Sequence, residues 1–280
     1  MTEQQNLMTG QQHRAELFRG LHNAGDPVVL VNAWDVASAR IVEAAGARAI
    51  ATTSAGVAWS LGAPDGDMLA RDLAVDLVAR IVGAVSLPVT ADIESGFGAT
   101  PGQVGETVRA VLTAGAVGVN IEDTLHGGAP ALRPVDEQCA RLRAARSAAD
   151  DAGIPLFVNA RVDTFLRGLG GPAEAVERAN AYLAAGADGI FVPGVVDPEL
   201  VADLVRDIPA PVNILAGPGA PSLPELAKLG VGRLSLGSGP AEAAYGMARR
   251  VAEEAFGTGT YDALAGALDW GTVNALMTRR

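Results

Sequence analysis

The chain has 280 residues and a formal net charge of -11; it is 49% hydrophobic but only 4% aromatic, with 34 glycines and 16 prolines. Such an acidic balance leaves no basic footprint for nucleic acid, and a small anionic ligand would need positive charge supplied locally. The single cysteine, Cys139, excludes an internal disulfide, and three scattered histidines, His13, His22 and His126, exclude a His- or Cys-rich zinc site, so any metal must rely on oxygen ligands.

The opening MTEQQNLMTGQQHRAEL is polar and lacks the apolar core of a signal peptide. No apolar run approaches the roughly 18 residues of a membrane span, which predicts a cytoplasmic protein with no membrane partner. The segment to about Gly25 reads as a capping helix. From Val28 onward, short β-branched runs recur: VVLVNAW, AIATTS from Ala49, LPVTADIE from Leu87, GVNIED from Gly118, LFVNARVD from Leu156, GIFVPG from Gly189, PVNILAG from Pro211 and RLSLGSG from Arg233. Between them lie stretches of helical period, among them DVASARIVEAAGA, DLAVDLVARIVGAV, PGQVGETVRAVLTAGA, DEQCARLRAARSAADDAG and PAEAVERANAYLAAGA. Gly46, Gly115, Gly186 and Gly230 recur where a helix needs a left-handed C-terminal residue before the next strand.

Strands apolar on both faces belong to a parallel sheet covered by helices, and eight βα units with right-handed crossovers close into a (β/α)8 TIM barrel. A doubly wound open sheet is the alternative. The whole chain, 1–280, reads as a single α/β domain, with residues 240–280 as a C-terminal helical extension.

Chemistry in such barrels sits at the C-terminal ends of the strands. The polar residues there are Asn32 and Asp35, Thr53 and Ser54, Asp92 and Glu94, Asn120 with Glu122 and Asp123, then Asn159, Arg161 and Asp163, and Asn213. Residues two apart on a strand share a face, so Asp92 with Glu94, and Asn120 with Glu122, point into the barrel. Carboxylates so crowded call for a cation between them, and hard oxygen ligands favour Mg2+, with Mn2+ as substitute. Arg161 is placed to clamp a substrate carboxylate. Capping or turn formation accounts for Asp123 and Asp163, and packing for Cys139. His126 falls in a loop, where it is either solvated or in contact with substrate. SLGSGPAEAA after the last strand is a weak candidate for an anion at a helix N-terminus.

The stretches LVNAWDVASARIVEAAGARAIATTSAGVAWSLGAPD, VTADIESGFG, AGAVGVNIED and NARVDTF stand in an order and spacing that resembles the isocitrate lyase and phosphoenolpyruvate mutase superfamily over most of residues 15 to 255. The resemblance implies a barrel whose last helix is exchanged between subunits, in a homotetramer built from dimers. It implies that Asp65, Asp92, Glu94 and Glu122 hold Mg2+, directly or through water. Thr53, Ser54, Ala55 and Arg161 would receive the carboxylate of a small α-keto or 2-hydroxy acid, with Trp34 near the keto group and Asn120 and Asn213 in the substrate site.

The departures from that family narrow the reaction. The loop EDTLHGGAPALRPVDEQ has no cysteine to serve as the lyase general acid, no lysine as in the mutase and phosphonopyruvate hydrolase branch, and looks shortened. A glutamate expected in IFVPGVVD is missing, and the asparagine of strand seven is shifted to Asn213 or replaced within LAGPG. The closest remaining branch is a lyase acting next to an α-keto carboxylate through an enolate, oxaloacetate-decarboxylase-like, with water or His126 returning a proton. The alternatives are C–P chemistry on phosphonopyruvate, a keto-acid-binding protein without catalysis, and a class II aldolase acting on pyruvate.

Overall fold

The computed structural model describes residues 3–129 and 131–278, with side chains from residue 9. Eight parallel strand positions follow one another: β1 (Val28–Leu30, resuming as Asn32–Ala33), β2 (Ile50–Thr52), β3 (Val89–Asp92), β4 (Gly118–Glu122), β5 (Phe157–Arg161), β6 (Gly189–Phe191), β7 (Val212–Leu215) and β8 (Arg233–Ser235). The first half of β1 pairs with β8, Val28 opposite Arg233, and the second half with β2, Asn32 opposite Ala51, so the sheet closes on itself. Asn32 stitches the seam. Its Oδ1 accepts from the backbone N–H of Leu236 and Gly237, while its Nδ2 donates to the Thr52 carbonyl. The open-sheet alternative is therefore excluded.

Outer helices Val36–Ala44, Arg71–Ala84, Pro101–Thr113, Val135–Asp151, Pro172–Ala184, Pro198–Asp207 and Leu223–Lys228 follow the first seven strands. Gly46, Gly115, Gly186 and Gly230 all have φ between 88° and 104°, the left-handed conformation expected at helix-to-strand joints. Proline opens Pro101–Thr113 behind a Thr100 capping box, so the glycine-rich turn after β3 leads directly into a helix. Among the described residues, no helix is long and apolar enough to cross a membrane.

The N-terminal helix, Glu3–Gly20, closes the bottom of the barrel. Phe18 meets the Phe157 ring edge-on at 5.8 Å, and His22 stacks on Phe157 at 3.9 Å. Above this plug the lumen is polar. Arg233 reaches from β8 across to the Asn120 Oδ1 on β4 at 3.1 Å, and Asn159 Nδ2 donates to the same oxygen at 2.9 Å.

At the other end of the chain, Gly239–Gly257 leads to a second helix, Trp270–Thr278, which packs on Val36–Ala44 through Arg40 donating to the Leu276 carbonyl. This arm exposes Phe256, Tyr261, Leu268 and Trp270. Outside β1 an apolar groove of about 560 Å3 is lined by Val29, Val31, Ile41, Val42 and Leu223.

His22 gives the fold a pH signature. Its Nδ1 lies 2.8 Å from the Phe18 carbonyl and therefore carries the proton, while burial first, and the Arg233 charge second, push its pKa down to about 3. Above pH 6.5 the imidazole is neutral in both states. Below that, the unfolded chain takes a proton that the folded chain refuses, so stability falls as pH drops from about 6.5 toward 3, by up to about 1.4 kcal/mol per pH unit. Chemical denaturation of wild type and His22→Phe between about pH 7 and pH 4 should show a shallower loss for the variant; parallel slopes would contradict the assignment.

Candidate active site

β3 delivers Asp92 to the mouth of the barrel and then breaks its extended course. Glu94 takes φ of 51°, and two other non-glycine residues with positive φ, Asp67 and Phe97, belong to the same loops. Left-handed backbone at side-chain-bearing residues costs of order 1–3 kcal/mol each and persists only where surrounding contacts hold it. Here Glu94 Oε2 accepts from the backbone N–H of Gly66 and Asp67, and the Ser95 hydroxyl bonds the Asp67 carboxylate. Buried Arg141, from Val135–Asp151, donates to the carbonyls of Ser95 and Gly98 at 2.6 and 2.7 Å. The loop carrying Asp65 is thereby tied to the loop after β3.

Three carboxylates, Glu122, Asp163 and Asp92, surround the Arg161 guanidinium. Asp92 Oδ2 accepts from the Ser54 hydroxyl at 3.2 Å, and its backbone N–H donates to Thr52 Oγ1 at 2.9 Å. Glu122, at the end of β4, pairs through Oε2 with Arg161 Nη1 and through Oε1 with His126 Nε2, both at 2.6 Å. Arg161 Nε is held by Asp163 at 2.6 Å, and its guanidinium lies over the Phe191 ring at 5.8 Å. Burial first, with Glu122 and Asp65 adding like charge against the opposing Arg161, raises the Asp92 carboxyl to about 6. Burial likewise raises Glu94 to about 8, with Asp65, Asp67 and Asp92 contributing against the Asp67 backbone hydrogen bond.

The mouth holds a cavity of about 200 Å3 with two unlike walls. Asp65, Asp92, Thr53, Ser54 and Ala55 line one side. Leu166, Phe191, Pro193 and Leu215, from the ends of β5, β6 and β7, line the other, with Arg161 and Asn120 also in the lining. Most of the residues expected from sequence are therefore brought together. Glu94 and Glu122 stand behind the wall, bonded to Gly66 and Arg161.

Three expected residues are placed elsewhere. Asn213 is fully buried inside the lumen, accepting from the Ser235 hydroxyl, because it lies two residues short of the strand end that faces the cavity. The half-buried Trp34 indole packs against the Val57, Ala58 and Leu69 cluster and faces Tyr245 at 6.5 Å, its Cβ filling space that Gly56 leaves open. His126 lines a separate cavity of about 430 Å3 beside Gly66, Asp67 and Arg133, and its pKa is raised, chiefly by the hydrogen bond to Glu122. Asp123 is structural: it accepts from the Asp163 N–H and from the Tyr182 hydroxyl. Cys139 is buried in helix packing. Within the 124–134 loop, Thr124–Leu125 pairs with Ala131–Leu132, and Pro130 lies outside the described residues.

Sequence reasoning missed Arg141 and the apolar wall. Arg141 was detectable, because it falls on the buried face of its helix at the spacing of Gln138, Leu142 and Ala145.

Among the described residues no three His, Cys, Asp or Glu side chains form a ready-made metal cage. The donor chemistry nevertheless fits a hard divalent cation. Glu94 Oε1 is buried without any partner, Asp65 and Asp92 both line the cavity, and burial, with Glu122 and Asp65 adding like charge, raises the pKa of Asp92. Mg2+ keeps several waters and takes few protein carboxylates, which suits ligands spread around a rim rather than gathered in a cage.

The fold and the cavity together define a (β/α)8 barrel with two carboxylates and one paired arginine lining its mouth. Residues 18–256 match the family model described as phosphoenolpyruvate phosphomutase. The chain is 42% identical over 225 residues to an uncharacterized Mycobacterium tuberculosis protein, Rv1998c, covering 80% of this chain and 82% of the other. It is 30% identical over 221 residues to oxaloacetate decarboxylase of Paraburkholderia xenovorans, covering 76% and 72%. Among solved structures, a Burkholderia cenocepacia protein described only provisionally as a lyase/mutase superposes with a TM-score of 0.90 at 40% identity, covering 97% of this chain and 98% of that one. The chain belongs to the phosphoenolpyruvate mutase and isocitrate lyase superfamily, whose named members include lyases, mutases and hydrolases of small organic acids.

Proposed function

We propose that the protein is an Mg2+-dependent carbon–carbon lyase that decarboxylates a small α-keto dicarboxylate of the oxaloacetate type. The observation that carries this reading is the cavity's composition: two carboxylates, one arginine and several hydroxyls, with no Cys, His, Lys or Tyr among its lining residues. Carbon dioxide leaves without needing a proton. Cleavage of a 2-hydroxy acid, by contrast, needs a base at the hydroxyl and an acid at the departing enolate, and phosphoryl transfer needs more positive charge than one arginine supplies.

Asp92 and Asp65 would hold Mg2+, or Mn2+ in its place, with Glu94 and Glu122 acting through water. When bound, the metal supplies Lewis acidity where negative charge develops on the keto oxygen. Arg161 grips the retained carboxylate. Its Nε and Nη1 are fixed by Asp163 and Glu122, so the guanidinium is oriented before substrate arrives. Thr53, Ser54 and Ala55 receive the same carboxylate from the opposite side. Asn120, whose Oδ1 already accepts from Asn159 and Arg233, keeps its Nδ2 for substrate. Water returns the proton to carbon, and His126 acts only through Glu122, to which it is bonded.

The reading is tested by following pyruvate formation from oxaloacetate above the non-enzymatic background, with Mg2+ and then with EDTA. Turnover should require the metal and fall more than about a hundredfold in Asp92→Ala. Metal-independent turnover, or an Asp92→Ala variant as active as wild type, would overturn it.

A homotetramer assembled through the C-terminal arm accompanies this proposal. The exposed Phe256, Tyr261, Leu268 and Trp270 complement the apolar groove outside β1, and a second copy of the arm is the occupant we assign to it. Sedimentation velocity should show an assembly that Trp270→Asp weakens; a monomeric wild-type chain would contradict it.

A further inference from the structure

The apolar wall of the cavity has no part in holding a metal or a retained carboxylate. Leu166, Phe191, Pro193 and Leu215 follow one another at the ends of β5, β6 and β7, flanked by Arg161 at the end of β5 and by Ser235 and Ser238 after β8. Arg161 is the only Lys, Arg or His in the lining, and Glu122 and Asp163 already neutralise it. Its guanidinium lies over the Phe191 ring at 5.8 Å with its charge already shared between those two carboxylates, so a second substrate carboxylate against Leu166 and Leu215 meets no unpaired cation.

We propose that this wall is the leaving-group subsite, selecting a carboxylate that departs as neutral CO2. The inference rests on the decarboxylase reading and names the part of the site that drives the step. In water a carboxylate is strongly solvated; against Leu166, Phe191 and Leu215 it loses that solvation, whereas CO2 loses almost nothing. The ground state is destabilised relative to the product. The bond between the carbon next to the ketone and the departing carboxyl breaks, and its electron pair becomes the carbon–carbon double bond of the enolate. The negative charge passes to the keto oxygen. Water then protonates that carbon, and the hydroxide left behind combines with CO2 as bicarbonate, so atoms and charge balance without an oxidant or a protein acid.

The volume adds a limit. At about 200 Å3 the cavity is smaller than the roughly 300–1,000 Å3 of drug-sized pockets, a size in keeping with a small organic acid. A tricarboxylate would bring a third negative group to the same unneutralised wall.

Leu166→Asn and Leu215→Asn test the assignment, Leu166 being 45% exposed and tolerant of replacement. Steady-state kinetics with oxaloacetate and Mg2+ should show kcat lowered by about fivefold or more, with KM unchanged or lower, because the polar group solvates the ground state. Calorimetric titration with oxalate in the presence of Mg2+ should be unchanged, since oxalate occupies only the acidic half. Variants that keep the parent kcat and KM would overturn the leaving-group assignment alone. A wild-type protein that binds oxalate with Mg2+ yet releases no CO2 would overturn the decarboxylase reading and this assignment with it.

Discussion

Four carboxylates, Asp65, Asp92, Glu94 and Glu122, converge on a mouth where Arg161 is the only cation among the residues lining the cavity, and most of the local structure answers to that imbalance. Glu122 spends both oxygens on Arg161 and His126, Glu94 spends one on two backbone N–H groups, and Asp92 accepts from Ser54. Glu122 is thereby paired with Arg161, whereas Asp65, Asp92 and Glu94 have no cation bonded to them among the described residues. Burial first, and neighbouring carboxylates after it, raise the pKa values of Asp92 and Glu94, and one Glu94 oxygen has no partner; a divalent cation would favour the ionised forms.

Positioning comes from farther away. Arg141 anchors the turn after β3 by its carbonyls, and that turn anchors the loop of Asp65 through Asp67. Beneath the mouth, Arg233 crosses the lumen to fix Asn120, while Phe18, His22 and Phe157 seal the floor. A polar lumen over an aromatic plug leaves the upper half of the barrel for binding rather than packing, although barrel interiors are usually filled by branched apolar side chains.

What could be read from sequence was local. The glycine joints at Gly46, Gly115, Gly186 and Gly230 marked βα units because a left-handed helix terminus is a property of one residue. Asp92, Asn120 and Arg161 were legible because strand periodicity decides which face each takes. Trp34 and Asn213 fall outside the cavity lining for a complementary reason: one indole's direction depends on Tyr245 from a distant helix, and two residues along β7 separate the lumen position of Asn213 from the cavity position of Leu215. Phe191, Pro193 and Leu215 registered in sequence only as missing polar residues. Their role as one wall emerges when three strand ends meet in space.

The central claim is that the acidic wall and Arg161 together form a site for a divalent cation and a bidentate keto-acid mimic. Electron paramagnetic resonance of Mn2+ titrated with the protein tests it most directly. The account predicts one bound Mn2+ per chain, tighter binding and a changed spectrum on adding oxalate, and loss of both in Asp92→Asn. A spectrum of free Mn2+ throughout, or an oxalate effect that survives in Asp92→Asn, would contradict it.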